Sequence, residues 1–399
     1  MSKLKRYGLS IALCLLIVII ISTYYVQAAI HTLPELTLVT IDGDEKIADK
    51  LVLEGGYFDG TGNTVELTSK GSTYSSEQSL PEKLLSRELE RRGELVKKYP
   101  GFMRGKNSSY LYENSESVVS VEDKFTLDPN GDNHQFNLLV DKLDKKTKKS
   151  SSFEIEIKQE GLNWVFVYDF YLKEGNLEIV AELLSGPHVN RKTEYHLYTI
   201  DIAKQEIADD TKIQLLEPDP SAKNIKWQSQ YFIGDRIKGR KVTKLLFSQI
   251  EVSMDSNGNI QERTENVPIK WISYDPASEQ QEELPIPKNY KLLTNQLLGD
   301  YFVVVTKENG TYRLSKYNLI TNQLEQQYDL EGNSNLSIKK ISAEGIILLG
   351  KVDDKTQVEI IDMASGKLKF KGSVEVEGTP KEQLEWSRKV DFHTARITQ

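Results

Sequence analysis

Beyond about residue 30 the chain is written in short runs of alternating apolar and polar positions, separated by clusters of Asn, Asp, Gly and Lys. Side chains on a strand point to opposite faces in turn, so such runs between turn formers predict half-buried β-strands. The clearest pair is Asp300–Lys307 and Thr311–Asn318, joined through Glu308-Asn309-Gly310. Asn and Gly both accept the positive φ of a type I′ turn, so a tight hairpin is expected there. A second hairpin starts at Trp164, with Trp164, Phe166, Tyr168, Phe170 and Leu172 expected on one face. It turns at Gly175-Asn176 and returns through Leu177–Leu184. A third runs Gly345–Val352, turns at Asp353-Asp354 and returns through Gln357–Ile361.

A larger unit repeats over these hairpins: a strand ends in a hydrophobe followed by Asp or Asn, a short polar turn follows, and another strand begins. It occurs at Leu143-Asp144, Ile200-Asp201, Tyr274-Asp275, Tyr317-Asn318 and Ile361-Asp362, with a further copy expected at Ile41-Asp42. The five main copies step by 57, 74, 43 and 44 residues. Four strands in about 40 to 50 residues is the period of a β-propeller blade. In this pattern the chain resembles bacterial exported β-propeller proteins with PQQ-like or WD40-like blades, most clearly over residues 135–375. The longer steps imply insertions, and no Gly-His…Trp-Asp pattern of true WD40 repeats is present. The expectation is an all-β fold, a propeller of about six to seven four-stranded blades, with tandem β-sandwich domains as the alternative. Lys389–Ile397 alternates with Val390 and Phe392 on one face. Ring closure would place it and Leu36–Ile41 in one blade or in adjacent blades, leaving fewer open edges.

Two segments break the alternation. In residues 79–101, Ser79 and Glu82 match a capping box and Pro81 suits a first turn. Leu84, Leu85, Leu89 and Leu95 then recur at helical spacing, and Pro100-Gly101 is expected to close one inserted helix. That helix is expected to pack on a sheet edge, with partner docking as the second possibility. The other segment is N-terminal: Lys3, Lys5 and Arg6 precede a run from Tyr7 to Ile30 without an acid, a Lys, an Arg or a His. Charges at the bilayer centre cost roughly 2.5 to 3.5 kcal/mol each, so a charge-free run of about 20 residues reads as membrane-spanning. The expected layout is a cytoplasmic tail at 1–6, a transmembrane anchor at 7–29 and an extracytoplasmic domain at 30–399. The alternative for 7–29 is a signal peptide cleaved after Ala28.

Composition narrows the picture. Cys14, inside the apolar run, is the single cysteine, so the part beyond it forms no disulfide, as suits a bacterial surface protein. The net charge of −8 less the three cations Lys3, Lys5 and Arg6 leaves −11 for the rest, which argues against nucleic acid. The basic runs Lys142–Lys149 and Arg236–Lys244 read as solvated turns.

Reaction chemistry is hard to find. His31, His134, His188, His196 and His393 are scattered, and only His188 and His196, flanking one loop, are placed to meet. Asp128–Asp132 and Asp255–Asn259 alternate oxygen side chains but lack the Gly and Glu of a calcium loop. No Gly-x-Ser-x-Gly and no Walker-type phosphate loop is present. No catalytic, cofactor-binding or metal residues are therefore assigned, and no cofactor is expected. The reading is a membrane-anchored extracytoplasmic binding or scaffold module that engages a membrane or envelope protein, or a ligand, through propeller loops. The alternatives are an exported hydrolase or lyase with its site in the funnel, and a structural envelope component.

Overall fold

The computed structural model describes residues 13–23, 33–58, 62–79, 95–106, 111–127, 134–186, 192–216, 225–232, 243–253, 269–287 and 292–398. The chain opens with β1 (Leu36–Gly43), then β2 (Leu51–Tyr57), β3 (Asn63–Thr68) and β4 (Gly71–Tyr74). Next come β5 (Leu111–Glu113), β6 (Ser117–Leu127), β7 (His134–Asp144) and β8 (Ser150–Ile157). The third group is β9 (Leu162–Lys173), β10 (Asn176–Ser185), β11 (Lys192–Asp201) and β12 (Glu206–Ile213). The fourth is β13 (Ile225–Phe232), β14 (Leu245–Ser253), β15 (Ile269–Asp275) and β16 (Gln280–Glu283). The fifth is β17 (Leu292–Leu298), β18 (Tyr301–Glu308), β19 (Thr311–Asn318) and β20 (Gln323–Asp329). The chain ends with β21 (Ser337–Ser342), β22 (Gly345–Val352), β23 (Lys355–Ile361), β24 (Leu368–Val376) and β25 (Val390–Ile397).

Among the described residues these strands form six antiparallel sheets, five of four strands and one of five, so the fold is all-β as expected. In four sheets the strands lie side by side in chain order, β5 to β8, β9 to β12, β13 to β16 and β17 to β20. These four belong to one compact unit, Arg87–Asp329; the other two belong to a second, Met1–Ser86 with Leu330–Gln399.

In the second unit each end of the chain completes the other end's sheet. β1 pairs with β24, from Leu36 opposite Val376 to Gly43 opposite Phe370. β25 pairs with β2, from Val390 opposite Tyr57 to Ile397 opposite Leu51. The two terminal strands thus lie in different sheets, and β25 packs beside β21 and β22 of the sheet that holds β1. Leu36, Leu53, Leu67, Ile347, Val358 and Phe392 are among the buried side chains of the resulting core. Close backbone approach requires glycine at Gly55, where a Cβ would lie 2.4 Å from the Asp391 carbonyl oxygen.

The recurrent Asp or Asn has one local job. Asp144 Oδ1 accepts from the Thr147 N–H, Asp201 Oδ1 from Lys204, Asn318 Oδ1 from Thr321 and Asp362 Oδ1 from Ser365. Asp275 accepts from the Ala277 N–H. Four positions after each comes a residue at positive φ: Lys148, Gln205, Glu279, Asn322 and Gly366. The motif is therefore an Asx-type turn between third and fourth strands, favoured because these short side chains bond their own backbone. Asp42 departs from this: it lies inside β1, so the sixth copy expected there is not one.

The Asn309-Gly310 and Asp353-Asp354 turns form as expected, with both residues of each at positive φ. The hairpin between β9 and β10 turns one residue earlier than expected, on Glu174-Gly175, and Asn176 begins the next strand. Residues 95–98 are helical and the helix breaks at Tyr99, just ahead of Pro100-Gly101. Pro100 opens the short helix Pro100–Met103, where proline's missing N–H costs nothing in the first turn. Leu95, Tyr99 and Met103 bury together there against Val118 and Leu143; residues 80–94, with most of the expected helix, lie outside the described residues. A helix not anticipated, Pro380–Lys389, carries a full capping box between Thr379 and Glu382 and sets the Trp386 ring 5.8 Å from that of Tyr57, tilted by 36°.

Of the apolar N-terminal run, residues 13–23 are helical and exposed, and the remainder lies outside the described residues. Among the described residues no helix is long and apolar enough to cross a membrane.

Candidate interaction surface

β9 carries the side chains of interest, and a bulge decides where they point. Its partner β10 sets Glu182 opposite Phe166, Ala181 opposite Val167 and then Val180 opposite Asp169, so Tyr168 is the extra residue. A bulge of this kind shifts the alternation of the faces by one. Val165, Val167 and Phe170 therefore bury in one core, with Leu172 packed against it, while Trp164 and Phe166 face the other way. The expectation that Trp164, Phe166, Tyr168, Phe170 and Leu172 share one face is corrected by this single residue.

The turned-out rings are left in water. Trp164 is 39% exposed, Phe166 41% and Phe125 of β6 38%. They are neighbours: Trp164 lies 5.7 Å from Phe166 and 5.6 Å from Phe125, centroid to centroid. Buried Phe136 of β7 backs Phe125 at 5.2 Å. Three adjoining aromatic side chains, each more than a third exposed, form a ledge of the kind that marks interaction sites; scattered single hydrophobes need no such explanation.

Behind the ledge the same strands become polar. The Tyr168 hydroxyl donates to Glu182 Oε2 at 2.5 Å. Burial raises the Glu182 carboxyl above its ordinary value, and the hydrogen bond from Tyr168 works against that rise. Burial, followed by the bond to Glu182, pushes the Tyr168 hydroxyl well above the usual phenol range. One residue on, buried Asp169 accepts from the Tyr231 hydroxyl at 2.9 Å. The Tyr195 hydroxyl donates to the Ser229 carbonyl at 2.9 Å, and Tyr168 lies 6.2 Å from Tyr195 and 6.0 Å from Tyr231, ring to ring. These phenols therefore serve as inter-sheet packing with satisfied hydroxyls. A carboxylate beside open rings can accept hydrogen bonds or pair with a cation.

The histidines do not converge on this surface. His196 bonds Asp210 through Nδ1 at 2.6 Å and stacks on Tyr198, while His188 lies outside the described residues. His393 sits in β25 and the backbone of His134 in β7; His31 lies outside the described residues. Among the described residues no group of three or more His, Cys, Asp or Glu could hold a metal ion. Both oxygen-rich loops, Asp128–Asp132 and Asp255–Asn259, lie outside the described residues. In the basic run at the β7–β8 turn, Lys145 pairs with Glu113 at 2.5 Å. The sequence carries only a trace of the ledge, in that Trp164-Val165-Phe166-Val167 is apolar on both faces of a strand; packing decides that Phe125 joins it.

No family model matches the chain, and no curated protein matches it. Among solved structures it is similar to acylaminoacyl peptidase from Pyrococcus horikoshii, at 13% identity and TM-score 0.35, over 66% of this chain and 38% of that one. The chain thus spans well under half of that peptidase. It is also similar to an oligogalacturonate lyase in complex with manganese, at 12% identity and TM-score 0.34, over 87% of this chain and 91% of that one. A third likeness is to the Dos1 propeller, at 10% identity and TM-score 0.29, over 63% and 68% of the two chains. At these values the likenesses assign neither a family nor an activity to the chain.

Proposed function

We propose that this chain is a binding module, tethered to a membrane by its N-terminal apolar run, whose aromatic ledge engages a protein partner outside the cytoplasm. In this reading the six sheets are the blades of a propeller, and β6, β9 and β10 carry the contact. The observation that carries it is the exposure of Phe125, Trp164 and Phe166 as one contiguous group. Aromatic side chains of this type dominate the energetics of protein interfaces, and leaving them in water is unfavourable by roughly 25 cal/mol per Å². The acidic balance of the chain beyond its first residues supports a protein partner over nucleic acid.

The test is site-directed photocrosslinking in intact cells of the native species, with benzoylphenylalanine at position 166 and, as control, at exposed Leu324 of β20. One membrane or envelope protein captured reproducibly from 166 and absent from 324 is the expected outcome. Identical capture patterns from the two sites, or none from 166, would remove the ledge from consideration.

A further inference from the structure

We infer that the ledge receives an arginine side chain of its protein partner, the guanidinium lying over the Trp164 and Phe166 rings and pairing with Glu182. The inference rests on the ledge being a docking surface and names the group it docks. Glu182 stands directly opposite Phe166 in the β9–β10 register, which puts the carboxylate and the ring within side-chain reach on one face. Its hydrogen-bond donor is the Tyr168 hydroxyl, a neutral group, and among the described residues it takes part in no ion pair.

Buried carboxylates of this fold take either arrangement, and Glu178, like Glu182, is bonded by a hydroxyl, that of Thr199. Glu194, buried on the neighbouring strand, is held by both Lys192 and Lys212, and buried Glu359 pairs with Lys371 at 3.0 Å. A partly desolvated carboxylate without a cation is costly, and the cost is relieved when a partner supplies one. The adjoining rings select the kind of cation. A guanidinium is planar, stacks on aromatic faces and binds a carboxylate through two parallel N–H donors; an ammonium is a compact and strongly hydrated point charge. The openness of the ledge selects the source. Small ligands take concave sites that bury most of their surface, whereas exposed rings on a sheet face suit a macromolecular contact. The acidic chain would also steer a basic segment toward it.

The test uses the full-length chain in detergent and a Gly/Ser peptide carrying two arginines, with lysine and glutamate counterparts and tetramethylammonium as comparison probes. Binding is followed by isothermal titration and by tryptophan fluorescence at probe concentrations up to about 1 mM. The arginine peptide should bind, the lysine peptide several-fold more weakly and the glutamate peptide not at all. Glu182→Gln and Trp164→Ala should each weaken the arginine peptide about tenfold, with unchanged circular dichroism certifying the fold. Glu182→Asp, which keeps the charge, should lose less. Unaltered binding by Glu182→Gln overturns the inference. So does equal binding of the glutamate peptide or of tetramethylammonium, or no binding of the arginine peptide at all. The two readings fail separately. If photocrosslinking from position 166 survives Glu182→Gln but not Trp164→Ala, the ledge stands and the arginine does not; if position 166 captures nothing, the ledge itself is wrong.

Discussion

The Tyr168 hydroxyl donates to the Glu182 carboxylate at 2.5 Å from the one extra residue of a β-bulge, the same residue that turns Trp164 and Phe166 outward. One event in the backbone thus sets both the ledge and the carboxylate beside it.

The protonation of Glu182 gives the first expectation. Its folded pKa is raised, so the folded state holds the proton more tightly than the unfolded chain does. Stability on this account is greatest below the unfolded value and declines as pH rises toward the folded one. Glu182→Gln keeps an acceptor for Tyr168 and removes the desolvated charge. It should match the native chain near pH 4 and exceed it at pH 7.5 by about 1 kcal/mol, or roughly 2 to 4 °C in Tm. Thermal unfolding at the two pH values decides it; a variant less stable than the native chain at pH 7.5 would mean that the carboxylate is stabilising.

Glu194 behaves in the opposite sense. Burial alone would raise it, but the bonds and charges of Lys212 and Lys192 outweigh that and hold it at about 2. The stability it contributes is therefore present above the unfolded value and is lost as pH falls toward about 2. Lys212→Ala should raise the Glu194 pKa, observable as a shifted side-chain carboxyl titration by NMR. In Glu194→Gln the stability deficit should stay constant from neutrality down to about pH 5 and shrink from there toward about 2. Identical acid-unfolding curves for native and variant would refute the assignment.

The strand that closes the sheet at the chain's end depends on Gly55. An alanine there would bring Cβ to 2.4 Å from the Asp391 carbonyl oxygen, on the strand that β2 must hold. Gly55→Ala should cost about 1 to 3 kcal/mol, as overpacking does. Gly101→Ala is the control, because a Cβ added at Gly101 meets nothing within 4 Å and its φ is not positive. Equal Tm values for the two variants would show that β25 yields without cost.

The face assignment on β9 can be checked by two truncations four residues apart. Phe170 is 3% exposed inside a core, and Phe166 is 41% exposed outside it. Phe170→Ala should cost about 3 to 5 kcal/mol. Phe166→Ala should cost about 1 kcal/mol or less, the worth of a cross-strand pair. Comparable losses in denaturant unfolding would place both rings on one face and abolish the bulge.

Local chemistry made much of this fold legible in the sequence alone. Asn309-Gly310 and Asp353-Asp354 became tight turns because those residues tolerate positive φ wherever they stand. The repeated Asp or Asn after a third strand became the same turn in five sheets, because it bonds backbone N–H groups two or three residues on. The helix Pro380–Lys389 is equally local, set by Thr379, Pro380 and Glu382 between two strand patterns. Tertiary structure decided the rest. Period-two alternation extrapolates a face along a strand only while the register holds, and the register with β10 shifts at Tyr168. Which end of the chain completes which sheet depends on contacts between residues more than 300 positions apart, such as Arg396 with Glu54 at 2.6 Å. The ledge belongs to the second group, since Phe125, Trp164 and Phe166 come from different sheets and only packing makes them neighbours. Alternation reports that a strand has two faces; which of them meets water depends on what the rest of the chain brings against it.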